Sequence, residues 1–122
     1  MAEVLVMLSK AGEGVDLLEL CGGEARVTRV CVRRNLVSGG NFDLTTMCDL
    51  GDPQQQRLLD EYIDYAKPLV IVMAPSCTAM GPQGRQNRTI NPDGWWRSWS
   101  RDAPHASYCG RVALKQQHAG RY

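Results

Sequence analysis

The sequence predicts an α/β domain built on a parallel sheet of three to four strands with helices on both faces. Three observations carry this. Short apolar runs alternate with longer segments of helical periodicity along the chain. The run Leu69-Val-Ile-Val-Met-Ala74 has no polar alternation, as a strand covered on two sides requires. The apolar run of residues 15–20 passes through Gly22-Gly23 straight into a helical segment, and strand, turn, helix in that order implies right-handed crossovers.

The 122 residues make at most one domain, spanning 1–122, near the lower size limit for a layered α/β architecture. A hydrophobic fraction of 43% and a charged fraction of 22% exclude a disordered chain, and a net charge of +1 singles out no partner. No apolar run is long enough to span a membrane, and residues 1–8 lack the basic start and cleavage pattern of a signal peptide. The expectation is an intracellular protein without a membrane partner, with nucleus and cytoplasm both open. Cys21, Cys31, Cys48, Cys77 and Cys109 are odd in number and form no C-x-x-C pair, which argues against a zinc ribbon or a disulfide framework. Reduced thiols are expected, and neither His105 nor His118 has a spacing partner for a metal site.

Taken in order, residues 3–8 read as a short helix or a strand, broken by Gly12 and Gly14, and residues 15–20 form the first confident strand. Residues 24–35 form an amphipathic helix, with Val27, Val30 and Cys31 on one face and Arg26, Arg29 and Arg33 on a solvated one. Residues 38–41 read as a loop and residues 42–48 as the second strand. Asp52 and Pro53 begin a helix as N-cap and first helical residue; Leu59, Tyr62, Ile63 and Ala66 repeat along it until Lys67-Pro68. Residues 69–74 are expected at the centre of the sheet. A Gly/Asn/Pro-rich loop over residues 83–94 then leads to Trp95-Trp-Arg-Ser-Trp99, and a last helix runs from about Pro104 to Ala119.

In open parallel sheets, ligands bind beyond the carboxyl ends of the strands. The predicted ends bring together Glu19 with Gly22-Gly23, Asp49, and Pro75-Ser76-Cys77. Each has a plainer reading: a tight strand-to-helix turn for the glycines, loop and capping roles for Asp49 and Asp52, and a buried apolar thiol for Cys77. Arg85, Arg88, Trp95 and Trp96, with Trp99, Arg97 and Arg101 nearby, combine aromatic and cationic groups as single-strand nucleic-acid binders do, although the same tryptophans suit packing against a small core.

Glu19-Leu-Cys-Gly-Gly-Glu-Ala25 resembles the first motif of class I, Rossmann-like, S-adenosylmethionine-dependent methyltransferases. Pro75-Ser-Cys77 after a buried strand resembles the Pro-Pro-Cys of the cytosine-C5 DNA methyltransferases. The two motifs with an acidic residue between them cover residues 15–110, and there is also a similarity to segments of transposon-type polyproteins. The resemblance implies S-adenosylmethionine as cofactor and DNA or RNA as partner. Glu19 supports the methionine end of the cofactor; the Gly22-Gly23 backbone packs against it, with Cys21, Ala25 and Pro75 completing the lining; Asp49 accepts from the ribose, with Asp52 as alternative; and Cys77 attacks C6 of a flipped cytosine. The sequence departs from the pattern at Ala25, where a glycine is usual, at Ser76, which replaces the second proline, and in having no Glu-Asn-Val-like segment before Tyr122. The expectation is an incomplete or degenerate methyltransferase-like domain, with an exposed sheet edge inviting a second copy or a partner chain. An inactive nucleic-acid-binding or interaction module and a mobile-element remnant are the alternatives.

Overall fold

The structure, a computed structural model, describes residues 14–76 and 79–122. The reading of residues 3–8 and the position of Cys77 lie outside them. The elements are β1 (Leu17–Leu20), α1 (Arg26–Arg33), β2 (Ser38–Phe42), a 3-10 turn (Leu44–Thr46), α2 (Pro53–Ala66), β3 (Val70–Met73), α3 (Pro82–Ile90) and α4 (Pro92–His118). The three strands are parallel in the order β2-β1-β3, a partial Rossmann-like arrangement.

The sheet centre is β1 and not the more apolar β3, which corrects the expectation from hydrophobicity. β1 pairs Leu17 to Leu20 with Val70 to Met73 on one side, and with Ser38, Asn41 and Phe42 on the other. The outer edge of β3 is engaged by Tyr122: its N–H donates to Leu69 O at 2.9 Å, and its carbonyl accepts from Ile71 N–H at 2.8 Å. Gln116 of α4 donates to the carbonyls of Pro68 and Tyr122 and ties this edge to the helix.

Alternation along β1 sorts the two faces. Leu18 and Leu20 turn to the side of α2 and α4, forming one core with Phe42, Leu59, Tyr62, Ile63, Tyr108 and Val112. Each large apolar side chain so buried contributes about 1.5–3 kcal/mol relative to exposure. Glu19 turns to the other side and meets Thr28 of α1. α2 starts as its sequence predicts, with Gln54 N–H donating to the Asp52 carboxylate at 2.9 Å, and it stops at Lys67 in the left-handed region at φ 47°.

The second strand lies four residues earlier than its apolar composition suggests, over Ser38–Phe42 instead of 42–48. Gly39 explains the displacement. The Tyr62 hydroxyl donates to Gly39 O at 3.0 Å, and a β-carbon at Gly39 would lie 2.8 Å from that hydroxyl and 3.0 Å from Leu18 Cδ1. The strand is glycine-rich because α2 lies close against its backbone, a tertiary demand that composition alone reads as a loop.

Two helices replace the loop expected over residues 83–94. Pro82 occupies the first turn of α3 after Gly81. The Asn91 side chain accepts from Gly94 N–H at 3.2 Å, Pro92 stands in the first turn and Asp93 adds negative charge there, so α4 begins at Pro92 and runs through Pro104. Pro104 is an interior residue and not the start of the last helix.

Gly39→Ala is expected to destabilise the domain by about 2 kcal/mol through overpacking against Tyr62 and Leu18. Urea unfolding of the two proteins measures this; an unchanged midpoint contradicts the close-packing account of β2.

Candidate cofactor crevice at the carboxyl ends of the strands

The glycine turn after β1 is built by side chains from the end of β2. Gly22 N–H donates to Asn41 Oδ1 at 3.0 Å, and Asn41 Nδ2 donates to Gly23 O at 3.1 Å. Gly23 N–H donates to Asp43 Oδ2 at 3.0 Å, and the Thr45 hydroxyl donates to Gly23 O. Asn41 is buried, and both ends of its amide are used on the turn. Gly23 has φ +55°, a conformation that favours glycine. Ala25 is also left-handed, at φ 57°, which accounts physically for a glycine being suited to that position.

Glu19 is 4% exposed, and its carboxylate accepts from Thr28 N–H at 3.0 Å and from the Thr28 hydroxyl at 2.7 Å. Ala25, at the N-cap of α1, offers no side-chain oxygen, so Glu19 satisfies a first-turn donor of α1 from the neighbouring strand. Gly22 lies against the same carboxylate, and a β-carbon there would collide with it.

A crevice of about 460 Å³ opens above this turn. Cys21 and Gly23 line it from the end of β1, Asp43 and Leu44 from the end of β2, Ala74 and Ser76 from the end of β3, and Arg101, Asp102 and His105 from α4. Because β2 and β3 flank β1 on opposite sides, the crevice sits where the strand order reverses, the usual ligand position in open α/β sheets.

Asp43 is the acidic residue that the sheet places at the crevice. It follows β2 directly and lies 20 residues beyond Gly23. Its Oδ1 accepts from Thr45 N–H at 2.9 Å, and its own N–H donates to the Thr46 hydroxyl. Burial works against the ionised form, but the donors Thr45 and Gly23 and the neighbouring His105 outweigh it and hold the carboxyl below its ordinary value. Asp49, the sequence-predicted ribose acceptor, is in the loop before α2 and outside the crevice lining. It accepts from Gly51 N–H at 2.9 Å and stands 3.5 Å from His105 Nε2. Asp52 is fully accounted for as the cap of α2.

On the opposite wall, Asp102 is only 3% exposed and receives Arg101 Nε at 2.9 Å, Arg101 Nη2 at 3.4 Å and the Ser76 hydroxyl at 3.3 Å. Beneath the crevice, Cys21 and Cys109 lie in thiol contact. The neighbouring Cys109 sulfur, together with burial, raises the Cys21 thiol above its ordinary range. Pro75 is half-buried between the lining residues Ala74 and Ser76.

The predicted nucleic-acid residues gather on the α3–α4 hairpin. Arg88 lies over the Trp95 ring at 5.0 Å, Trp95 stacks with Trp99 at 5.5 Å, and it meets Trp96 edge-on at 4.7 Å. Trp95 itself is half-buried and donates its indole N–H to Ala79 O, so it anchors the hairpin, while Trp96 is 52% exposed and Arg85 and Arg88 face solvent. Among the described residues no group of three or more metal-ligating side chains is assembled, and no helix is long and apolar enough to cross a membrane.

Asp43 and Asp102 were not singled out by sequence, Arg101 was read only with the Trp/Arg group, and His105 was weighed only as a metal ligand without a spacing partner. Asp43 carried a readable signal, its spacing from Gly23, which the misplaced second strand hid. The α4 residues carried none, because the last helix was expected to start only near Pro104 and nothing in the sequence places it against the strand ends.

No protein-family model, curated protein or solved structure matches this chain.

The Asp43 carboxylate, with its folded-state value lowered, adds stability above the ordinary carboxylate range, and that contribution is lost as pH falls through the lowered value. Asp43→Asn is therefore expected to be about 1 kcal/mol less stable than wild type at pH 7. The difference begins to narrow near pH 4 and closes below the lowered value. Urea unfolding across pH measures it, and a gap of constant size contradicts the assignment.

Proposed function

We propose that this domain binds S-adenosylmethionine or its demethylated product in the crevice at the carboxyl ends of the strands, as a methyltransferase-like domain acting on nucleic acid inside the cell. The observation that carries the reading is Asp43: an ionised carboxylate at the end of β2, 20 residues beyond Gly23, lining a crevice at the reversal of strand order. Each of its oxygens retains acceptor capacity after the bonds from Gly23 and Thr45, which suits paired ribose hydroxyls as donors. Roles shift from the motif-based expectation: Asp43 replaces Asp49 as ribose acceptor, Glu19 supports the site by holding α1, and Gly22 and Gly23 shape the floor. Cys21, Gly23, Ala74 and Ser76 line the crevice beside Asp43. The resemblance to cytosine-C5 enzymes makes Cys77 the attacking group on the acceptor base.

A second reading, a nucleic-acid-binding module without transfer activity, is favoured by the α3–α4 hairpin, where the exposed Trp96 adjoins the Arg88–Trp95 stack. Base stacking and phosphate contact need no completed catalytic site.

Calorimetric titration with S-adenosylhomocysteine tests the crevice. Wild type is expected to bind it, Asp43→Asn about tenfold more weakly and Asp49→Asn like wild type. Absence of heat at millimolar ligand, or a loss in Asp49→Asn equal to that in Asp43→Asn, contradicts the reading.

A further inference from the structure

The crevice carries a cation that the ribose reading leaves unused. Arg101 turns Nε and Nη2 onto the buried Asp102 carboxylate, a forked contact that fixes the guanidinium plane at the crevice wall. Arginine has five N–H donors, so two bonds to Asp102 leave three for a ligand. Its side chain is 64% exposed although its partner is 3% exposed, and no other carboxylate among the described residues receives a bond from it. The Ser76 hydroxyl steadies Asp102 from the end of β3. Arg101 and Asp43 thus line one crevice from different elements, α4 and the end of β2, and present groups that want opposite ligand chemistry: donors at Arg101, acceptors at Asp43.

We infer that Arg101 is an anion anchor of this crevice, so that the ligand is a nucleoside bearing an anionic group on its 5′ substituent, a carboxylate or a phosphate. The inference rests on the nucleoside reading of the crevice and adds the recognition of the second end of the ligand. Asp102 is a positioning residue: it touches no ligand and holds the guanidinium in one plane. The net charge of the domain is only +1, so this selectivity belongs to one side chain and not to a basic surface field.

Two ligand pairs, in each of which one member bears the anionic group and the other lacks it, test it by calorimetry on the full chain: S-adenosylhomocysteine, whose carboxylate comes with an ammonium group, against 5′-methylthioadenosine, and 5′-adenosine monophosphate against adenosine. Wild type is expected to prefer the anionic member of at least one pair by about tenfold. The pair that shows the preference tells a carboxylate-bearing from a phosphate-bearing ligand. Arg101→Gln is expected to bring that ratio near one while leaving the affinity for the uncharged member unchanged. Because Arg101→Gln strips a buried carboxylate of its partner, the Arg101→Gln/Asp102→Asn double variant is measured beside it and is expected to give the same ratio. Arg97→Gln, which removes an exposed arginine outside the crevice lining, is expected to keep the wild-type ratio. Ratios near one for both pairs in wild type, or a preference that survives both Arg101 variants, overturn the anchor while leaving the nucleoside reading intact. Failure of all four ligands to bind wild type overturns the nucleoside reading and the anchor with it.

Discussion

The glycine turn after β1 does not hold itself; the end of β2 holds it. Asn41 and Asp43 accept from successive backbone N–H groups at Gly22 and Gly23, and Asn41 returns a bond to Gly23 O. Those contacts join the neighbouring carboxyl ends of two parallel strands, and the crevice exists because they do. The same junction sets the direction of α1, whose first turn takes its acceptor from Glu19 one strand position earlier. With the N–H groups of Gly22 and Gly23 already committed, the backbone here is a floor, and the polar groups open to the crevice are the side chains that ring it.

This division of labour explains why motif residues and crevice residues coincide only in part. Glu19 and Asn41 are buried and engaged in holding backbone, while Asp43 and Arg101 reach the crevice wall. A depressed Asp43 carboxyl and an oriented Arg101 guanidinium form a dipolar pair of walls, each maintained by hydrogen bonds made before any ligand arrives. Such preorganisation lowers the ordering cost of binding. The α3–α4 hairpin is a separate feature, built around the Trp95 indole on Ala79 O, and it reaches the crevice through Arg101 on α4.

The parallel α/β class, α2 with its Asp52 cap, the first strand and the glycine turn were all legible, because each is dictated by local periodicity or capping chemistry. What was missed has tertiary causes. β2 contains Gly39 because Tyr62 presses on its backbone there, and nothing within residues 38–42 announces that contact. β3 is the most apolar strand yet lies beside the centre, since its apolar run shows that it is covered and not how many strands flank it. The Asn91-Pro92-Asp93 start of α4 was a legible cap that loop-like composition outweighed, and it left Arg101 and Asp102 outside the expected helix. Cys77 stays a sequence-based assignment, outside the described residues.

In the proposed reading a nucleoside ligand sits at the strand ends, above a turn held by Asn41 and Asp43. The most direct measurement is a nitrogen-15 NMR titration of the chain with S-adenosylhomocysteine, following backbone amides. The account predicts saturable shifts clustered at Cys21, Gly23, Asp43, Leu44, Ala74 and His105, with the amides of α3 unmoved. Shifts confined to the α3–α4 hairpin, or none at millimolar ligand, contradict it.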